Sequence, residues 1–481
     1  MFLGIDLGTS GIKLVLVDDA QAVVASSAAP LAVQHPHDGW AEQNPADWIT
    51  ACEAAFDALA RSVPQGLGAV KGIGLSGQMH GATLLDRADN VLRPCILWND
   101  TRAHRQAAVL DAMPQVRALS GNIVFPGFTA PKLMWCAEHE PDLFAKVSKV
   151  LLPKDYLRLW LRGEYVTDMS DASGTAWLDV GGRDWSDALL SASFMTRSQM
   201  PGLVEGSAAS GQMRPELAQR WGLPAGVIVA GGAGDNAAAG IGTGVTKAGA
   251  GFVSLGTSGV LFAAADSYRP NAQSAVHTFC HALPDTWHQM GVILSATAGL
   301  EWFARICCTT AAVLDGEQGN TLFPPEQSLF LPYLSGERTP HNDARLRGGF
   351  IGLTPETDRA AMTRTVMEGV AFALHDNQAA LQCAGADPAR FLAVGGGTRS
   401  EYWLKLIATV LERPVDVPQD GDFGAAFGAA RLAMLATGHG DVSAVCIPPK
   451  IARSIDPDPA QVANFSAAYQ RFKLKLDAAR I

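Results

Sequence analysis

Residues 1–13 read MFLGIDLGTSGIK, and their central pentapeptide, LGTSG at 7–11, returns at 255–259 within AGFVSLGTSGVLFA (250–263). Apolar or β-branched residues flank each copy: Phe2, Leu3 and Ile5 precede the first, and Ile12, Leu14 and Val15 follow it. That pattern predicts two strands joined by a tight glycine-rich turn, hence a β-hairpin in each place. Gly8 and Gly256 let the backbone N–H groups of such a turn face outward together. The hydroxyls of Thr9, Ser10, Thr257 and Ser258 add donors suited to a phosphate chain. The copies differ in charge, because Asp6 and Lys13 of the first become Ser254 and Leu261 in the second. Any antiparallel hairpin carries Gly, Thr and Ser at its turn, so one copy alone decides little. The repeat, with similar flanks, points to a nucleotide held between two related domains.

At 481 residues the chain is long enough for about three ordinary domains or two large ones. Hydrophobic residues make up 48% and charged residues 17%, a globular balance. The net charge of -10 supplies no general field for nucleic acid or an anionic membrane, so a nucleotide must be met by local donors, a cation or both. The opening MFLGID has neither the basic region nor the long apolar region of a secretory signal, and no run of about 18 apolar residues suggests a membrane span. A cytoplasmic location is expected. The eight cysteines (Cys52, Cys95, Cys136, Cys280, Cys307, Cys308, Cys383, Cys446) show no CxxC spacing and read as reduced, mostly buried thiols, with Cys307 and Cys308 adjacent in a helix-like run. His277, Cys280 and His281 lack a fourth ligand at metal-site spacing, which favours a structural role.

After the first hairpin a turn and a third strand are expected over 18–24. The polar loop that follows ends at Asn44, a helix cap, with Pro45 in the first helical position and a helix to about Ser62. Gly72, Gly74 and Gly77 match GxGxxG literally, but the chain runs on into GATLL, another strand-like run, where a dinucleotide motif needs a helix. The better reading is a buried strand whose end delivers Gln78, Met79 and His80 into a cleft. Gln and His offer donors and acceptors for hydroxyl groups, and Met an adaptable wall, so the cluster points to a polyol or sugar site. His80 alone reads equally well as a satisfied core histidine. In RPCILWNDTRA, Trp98 is placed to cover a sugar face with Asn99 beside it, while WNDTR also fits a strand end running into a helix cap. From GFTAPKLMW to TAWLDV the pattern is helices and then a short hairpin, with Asp168 to Ser173 a polar patch that could border the cleft.

The other distinctive stretch is GVIVAGGAGDNAAAGIGTG (226–244), an apolar strand running into glycines before Asp235 opens a small-residue helix at 236–240. A carboxylate there stands where strand ends usually present groups to ligands. An N-cap is the alternative role. The small neighbours leave room for a substrate, which favours a general base. Later, FLPYLSGERTPHND reads as a charged loop, with a helix expected over 359–383. FLAVGGGTRSEYW sends a strand into Gly395, Gly396 and Gly397 and then a helix, where glycines and a helix N-terminus permit close approach of a purine or phosphate. GDFGAAFGAARLAML reads as a small-faced helix set against that nucleotide layer. No Gly-Lys dipeptide occurs anywhere in the chain, which excludes a Walker-type P-loop.

Taken in order, GIDLGTSGIK, GQMHGATLLD, RPCILWND, GFTAPKLMW, LLPKDYLRL, GDNAA, SLGTSGV, LPYLSGERTPH, GGGTRSEYW and FGAAFGAARLA resemble the FGGY carbohydrate kinases of the actin-like ATPase superfamily, over nearly the whole chain. The resemblance implies an α/β fold of two actin-like (ribonuclease H-like) domains with a nucleotide and sugar cleft between them. It sets residues 1–247 on the sugar and phosphate side, 248–440 on the nucleotide side, and 441–481 as a helical tail packed on the kinase. It implies ATP-dependent phosphorylation of a sugar, with Mg2+ as the second cofactor. Asp235 is then the catalytic base, and Asp6 acts near the magnesium ion, the two carboxylates forming the metal pair. Gln78, Met79, His80, Trp98, Asn99 and Asn236 become sugar contacts. Gly8, Thr9, Ser10 and Lys13 hold phosphates with Gly256, Thr257 and Ser258, and Gly395 to Gly397 bed the adenosine. Closure of the two domains is expected to bring hydroxyl and phosphate together. Ala361 and Thr365 depart from the family pattern, which bears on packing behind the site. Ribulose, gluconate or glycerol are alternative acceptors, and a nucleotide-regulated binding protein is the reading from another class. The expected partners are the sugar and ATP, with a homodimer as the candidate assembly and no nucleic acid or membrane.

Overall fold

The computed structural model describes residues 1–419 and 424–479. Among them, two seven-stranded sheets share one plan. In the first, β1 (Phe2–Leu7), β2 (Gly11–Val17) and β3 (Val23–Pro30) form an antiparallel meander. β4 (Gly72–Gly77) lies parallel to β1 on its other side, followed by β6 (Ile228–Ala230) and an edge strand, β5 (Ala209–Gln212). A short β7 (Ala233–Gly234) also pairs with β4. In the second, β8 (Gly251–Leu255), β9 (Gly259–Ala265) and β11 (Trp287–Ile293) form the meander, with β10 (His277–Cys280) beyond it. β12 (Phe391–Val394) and β13 (Val415–Pro418) extend the other side in parallel, and β14 (Ile451–Ile455) closes that edge. The repeated pentapeptides are therefore equivalent hairpin turns at the same place in two related sheets.

Helix α1 (Pro45–Ser62) has the expected bounds, with the Asn44 side chain accepting the Ala46 N–H at 3.2 Å. It covers one face of the first sheet, burying Trp48, Cys52 and Phe56 against Leu3, Ile5 and Leu7. Because side chains alternate along a strand, Phe2, Gly4 and Asp6 face the other way. Between sheet elements come α2 (Thr129–His139), α3 (Pro153–Arg162) and α4 (Asp235–Thr243), the last longer than the expected 236–240. In the second half stand α5 (Thr297–Ile306), α6 (Arg359–Cys383), α7 (Glu401–Leu411), α8 (Ala425–Ala436) and α9 (Val462–Ala479). The helix expected over 359–383 has those bounds, capped by the Asp358 carboxylate on the Ala361 N–H at 2.8 Å. Thr365, which departs from the family pattern, is buried with its hydroxyl 2.8 Å from that of Ser328.

Several readings need correction. The GAAFGAARLAML helix, whose leading Gly421, Asp422 and Phe423 lie outside the described residues, packs its small face on the first sheet rather than along a nucleotide layer. A Cβ on Gly4 would lie 1.8 Å from the Ala426 carbonyl oxygen, one on Gly74 1.8 Å from that of Ala429, and one on Gly428 1.8 Å from that of Ala238 in α4. Backbone thus meets backbone at places that admit no side chain. The final segment is not wholly helical, since β14 pairs with β13 before α9 packs on α6 and α7. Between α2 and α3 a strand, Lys149–Leu151, pairs with Thr83–Leu85. Val166–Asp168 lies parallel to Gly202–Val204, leaving Leu178–Asp179 with Asp184–Trp185 as the hairpin. WNDTR caps no helix: the next one begins at His104 behind Ala103, which has no capping group, and Asp100 instead binds the Ala41 N–H and the Arg102 guanidinium. Cys307 and Cys308 lie just past the end of α5, Cys308 at φ +51°. All eight cysteines are free and five are buried.

Two passages of the chain between the sheets lie at residues 244–250 and 446–450. These passages are fastened together. A Cβ on Gly244 would lie 2.7 Å from the Pro448 nitrogen. Arg431 of α8 donates to the carbonyls of Ile241 and Gly242 at 3.0 Å each and of Ile447 at 2.9 Å.

Candidate active site

The two hairpin turns are the natural starting point. In the first, Thr9 Oγ1 donates to Gln78 Oε1 at 3.0 Å and accepts the Trp98 indole N–H at 3.0 Å. Gln78 Nε2 donates to Gln43 Oε1 at 2.9 Å, and Gln43 Nε2 returns to the Thr9 carbonyl at 2.7 Å. Gln78 is therefore spent on shaping this turn, with 2% of its surface exposed, and is not a free sugar contact. Trp98 is tied to the same turn, and Asn99 stands exposed beside it, making no hydrogen bond among the described residues. In the second turn the Thr297 N–H and hydroxyl both bond the Gly256 carbonyl, at 3.0 and 2.9 Å, so the start of α5 fixes its shape. Ser10 and Thr257 are the exposed hydroxyls of the two turns.

Asp6 is the next-to-last residue of β1, opposite Lys13 of β2 and Ser76 of β4. Burial raises its pKa above the ordinary aspartate range, against the neighbouring Ser76 hydroxyl and the charge of Lys13. Its Oδ1 is buried with no hydrogen-bond partner. Asp235 is the first residue of α4, so Gly234 stands in the cap position and the aspartate is no N-cap. Its Oδ1 accepts the Asn236 backbone N–H at 2.7 Å and the Asn236 side-chain amide at 2.9 Å, so Asn236 orients the carboxylate. Burial first, and the charge of Asp6 second, push the Asp235 pKa up to about 7. A carboxylate poised near neutrality suits a general base, and the orphaned oxygen of Asp6 close by suits a hard divalent cation, whose other ligands would come from phosphate and water.

Met79 packs on Gly234, the residue before Asp235, where a Cβ would lie 2.9 Å from the Met79 sulfur. His80 sits at φ +71°, a strained conformation for a non-glycine residue, and its neighbours hold it there. Its carbonyl accepts the Thr129 hydroxyl at 3.1 Å and the Lys132 ammonium at 2.8 Å. Its ring stacks on Phe128, centroids 4.8 Å apart, and Nδ1 lies 2.7 Å from the Gly174 carbonyl oxygen. A carbonyl only accepts, so Nδ1 carries the proton and Nε2 is left as an acceptor. Burial, with the charge of Lys132, pushes the His80 pKa down to about 3, so the ring stays neutral. Lys132 itself is pushed down to about 7 by burial.

Behind Asp235 the patch 168–173 does not border the cleft but is buried as a charge cluster. Lys154 Nζ lies 2.7 Å from Asp155, 2.8 Å from Asp168 and 2.9 Å from Asp171, all without exposure. Burial alone would lower the Lys154 pKa, and these three carboxylates reverse that and raise it. Asp168 accepts the Ser170 hydroxyl at 2.5 Å, and Ser170 Oγ accepts the Gly234 N–H at 3.1 Å. Arg158 binds the carbonyls of Ala230 and Gly231. The cluster thus fixes the backbone that carries Asp235. Sequence reading missed Gln43, Lys132 and Lys154; the available signal was a lone lysine inside each of the apolar runs TAPKLMW and LLPKDYL.

On the other side of the cleft Gly395, at φ +94°, packs on Leu255, where a Cβ would lie 2.8 Å from the carbonyl oxygen. Gly396–Arg399 forms one 3-10 turn, and the Ser400 hydroxyl already caps α7 on the Trp403 N–H at 3.1 Å. One of the first N–H groups of that helix is thus already taken. A cavity of about 410 Å³ remains between Gly256, Thr297, Leu300, Gly396, Gly397 and Trp403, and a second of about 740 Å³ lies across Gly395 and Gly396. His281 accepts the Ala282 N–H and lies 3.2 Å from the Val245 carbonyl, a structural role as expected. No group of three or more metal-ligating side chains occurs among the described residues, nor is any helix there long and apolar enough to cross a membrane.

The model for the N-terminal domain of the FGGY family of carbohydrate kinases matches residues 1–242, and that for its C-terminal domain matches 251–437. The chain is 48% identical to a xylulose kinase from Escherichia coli (strain K12) over 91% of its length and 90% of that protein. It is 45% identical to one from Klebsiella pneumoniae over 98% of both. The crystal structure of a xyloylose kinase from Brucella ovis superposes with a TM-score of 0.98 at 59% identity, covering 100% of this chain and 99% of that one.

Proposed function

The chain belongs to the FGGY family of carbohydrate kinases, and from that premise we propose that it transfers the γ-phosphoryl group of ATP to D-xylulose, giving ADP and D-xylulose 5-phosphate. The observation that carries the chemistry is Asp235, a carboxylate with a pKa near 7 at the first position of α4, one oxygen oriented by Asn236. Asp235 accepts the proton of the ketose C5 hydroxyl as that oxygen attacks phosphorus, a contribution of ~10² to 10⁴-fold for a positioned base. Met79 walls the sugar, and the neutral His80 Nε2 accepts from one of its hydroxyls. Gly8, Thr9, Ser10 and Lys13 hold phosphate oxygens on one side, and Gly256, Thr257 and Ser258 on the other. The cavity of about 410 Å³ beside Gly396 and Gly397 takes the adenosine. Asp6, with its unpartnered oxygen, would hold Mg2+ close to Asp235, and the bound ion would neutralise charge on the phosphate chain.

Residues 1–247 act as the sugar side and 248–440 as the nucleotide side, apart from α8, so closure excludes water from the transfer. The test is ADP release coupled to a panel of D-xylulose, D- and L-ribulose, gluconate and glycerol, with magnesium and ATP. Stimulation by D-xylulose above the others is expected. A preference for another acceptor would keep the mechanism and move the substrate, and no stimulation by any sugar would overturn the reading.

A further inference from the structure

The loop 335–343, between the second sheet's elements, sends Arg338 toward the aromatic side chains packed around His80 in the first half of the chain. The guanidinium carbon lies 4.9 Å from the centroid of Phe125, whose ring is 5.7 Å from Phe128, the residue stacked under His80. The charge of Arg338 is near enough to help lower the pKa of both His80 and His277. Burial in turn lowers that of Arg338, against the neighbouring Glu337. Among the described residues the guanidinium makes no hydrogen bond and no ion pair. A partly desolvated guanidinium with five donors and no acceptor is costly to keep unless something completes it.

The loop is fixed in place rather than free to withdraw that side chain. Glu337 Oε1 accepts the Leu294 N–H at 2.9 Å and the Arg338 N–H at 2.7 Å. Glu337 and Asp343 exchange backbone bonds of 2.9 Å each. Thr339 Oγ1 donates to the Ala275 carbonyl at 2.8 Å and accepts the Val292 N–H at 3.1 Å. His341 lies 3.4 Å from Asp376 of α6, which also accepts the hydroxyl of Tyr469 from α9. A side chain mounted on so rigid a support is pre-organised for a ligand.

We infer that Arg338 is a specificity-determining contact for the sugar, donating to oxygen atoms of the ketose from the half of the molecule that otherwise serves the nucleotide. This rests on the pocket around His80 being the sugar site. The pocket then offers an acceptor, His80 Nε2, and a forked cationic donor on either side of an aromatic wall, a pairing that selects a ligand with several adjacent oxygens. Because the donor and the base Asp235 come from opposite halves, a sugar that satisfies both also draws the halves together.

The experiment is steady-state kinetics with ATP and D-xylulose varied independently, on the wild type, Arg338→Gln and Arg338→Lys, with a melting curve for each. In both variants KM for the sugar is expected to rise, ~10- to 100-fold for Gln as a charge-assisted hydrogen bond is lost and less for Lys, with KM for ATP unchanged. A wild-type sugar KM in either folded variant overturns the inference. So does a parallel worsening of both KM values with a lowered melting point, which would make Arg338 a strut of the loop. A wild type inactive on every sugar would instead overturn the reading of the pocket.

Discussion

Asp235 and Asp6 are two carboxylates whose surroundings were built to make them uneasy together. Burial raises both, and the charge of Asp6 raises Asp235 further, to about 7. Removing that charge must therefore lower the Asp235 pKa. Carbon-13 NMR of aspartate-labelled, magnesium-free protein is expected to show Asp235 titrating near 7 and moving to lower pH in Asp6→Asn; an unmoved titration would separate the two sites. Asp235→Asn keeps the hydrogen bonds from Asn236 and removes the base. Turnover should fall by ~10² to 10⁴-fold while calorimetry still detects the sugar. The placement of Asp235, Met79 and His80 just beyond buried strand ends was legible in the sequence, because glycines and polar residues interrupt the apolar runs there. The bonding of Gln78 to the turn was not legible for a physical reason: a glutamine facing a cleft and a glutamine bonding the turn beside it have the same neighbours in sequence. Only the position of Gln43 distinguishes them.

At the scale of elements, the strands and helices with clear caps and turns followed from local chemistry. α1 and α6 have the bounds set by Asn44 with Pro45 and by Asp358. What local chemistry does not determine is which surface a nearly all-small helix covers. The small face of α8 meets the first sheet because Gly4 and Gly74 leave room there, and those glycines sit hundreds of residues away. Gly4→Ala would push a methyl group to 1.8 Å from the Ala426 carbonyl oxygen, and a loss of ~1 to 3 kcal/mol or more is expected in urea unfolding. The cluster under Asp235 offers a second test. Lys154→Met removes the cation that Asp155, Asp168 and Asp171 share. A loss of ~3 to 5 kcal/mol is expected from the same measurement, as buried carboxylates are left uncompensated.

Across the whole molecule, stability should carry a pH dependence set by buried acids. Glu368 accepts the Glu326 N–H from within the core of the second half, facing Glu326, Arg364 and Arg471. Burial first, and the charge of Glu326 among its neighbours, push its pKa from 4.5 up to about 8. The folded state therefore keeps a proton that the unfolded chain releases, and this group's contribution falls as pH rises from about 4.5 to about 8. Glu368→Gln should raise the melting point relative to wild type at pH 8 and leave it nearly unchanged at pH 5. Equal differences at both values would show that Glu368 is ionised throughout. The double passage of the chain between the sheets at 244–250 and 446–450, riveted by Arg431, has a consequence for how the cleft opens. A single linker would be a tether, letting the halves tumble past each other. Two passages bound side by side form the spine of a book, and the covers are expected to swing about one line rather than slide. For the same reason the halves do not come apart at residue 247, because a fragment ending there leaves behind the page, α8, that covers its own glycine-lined face.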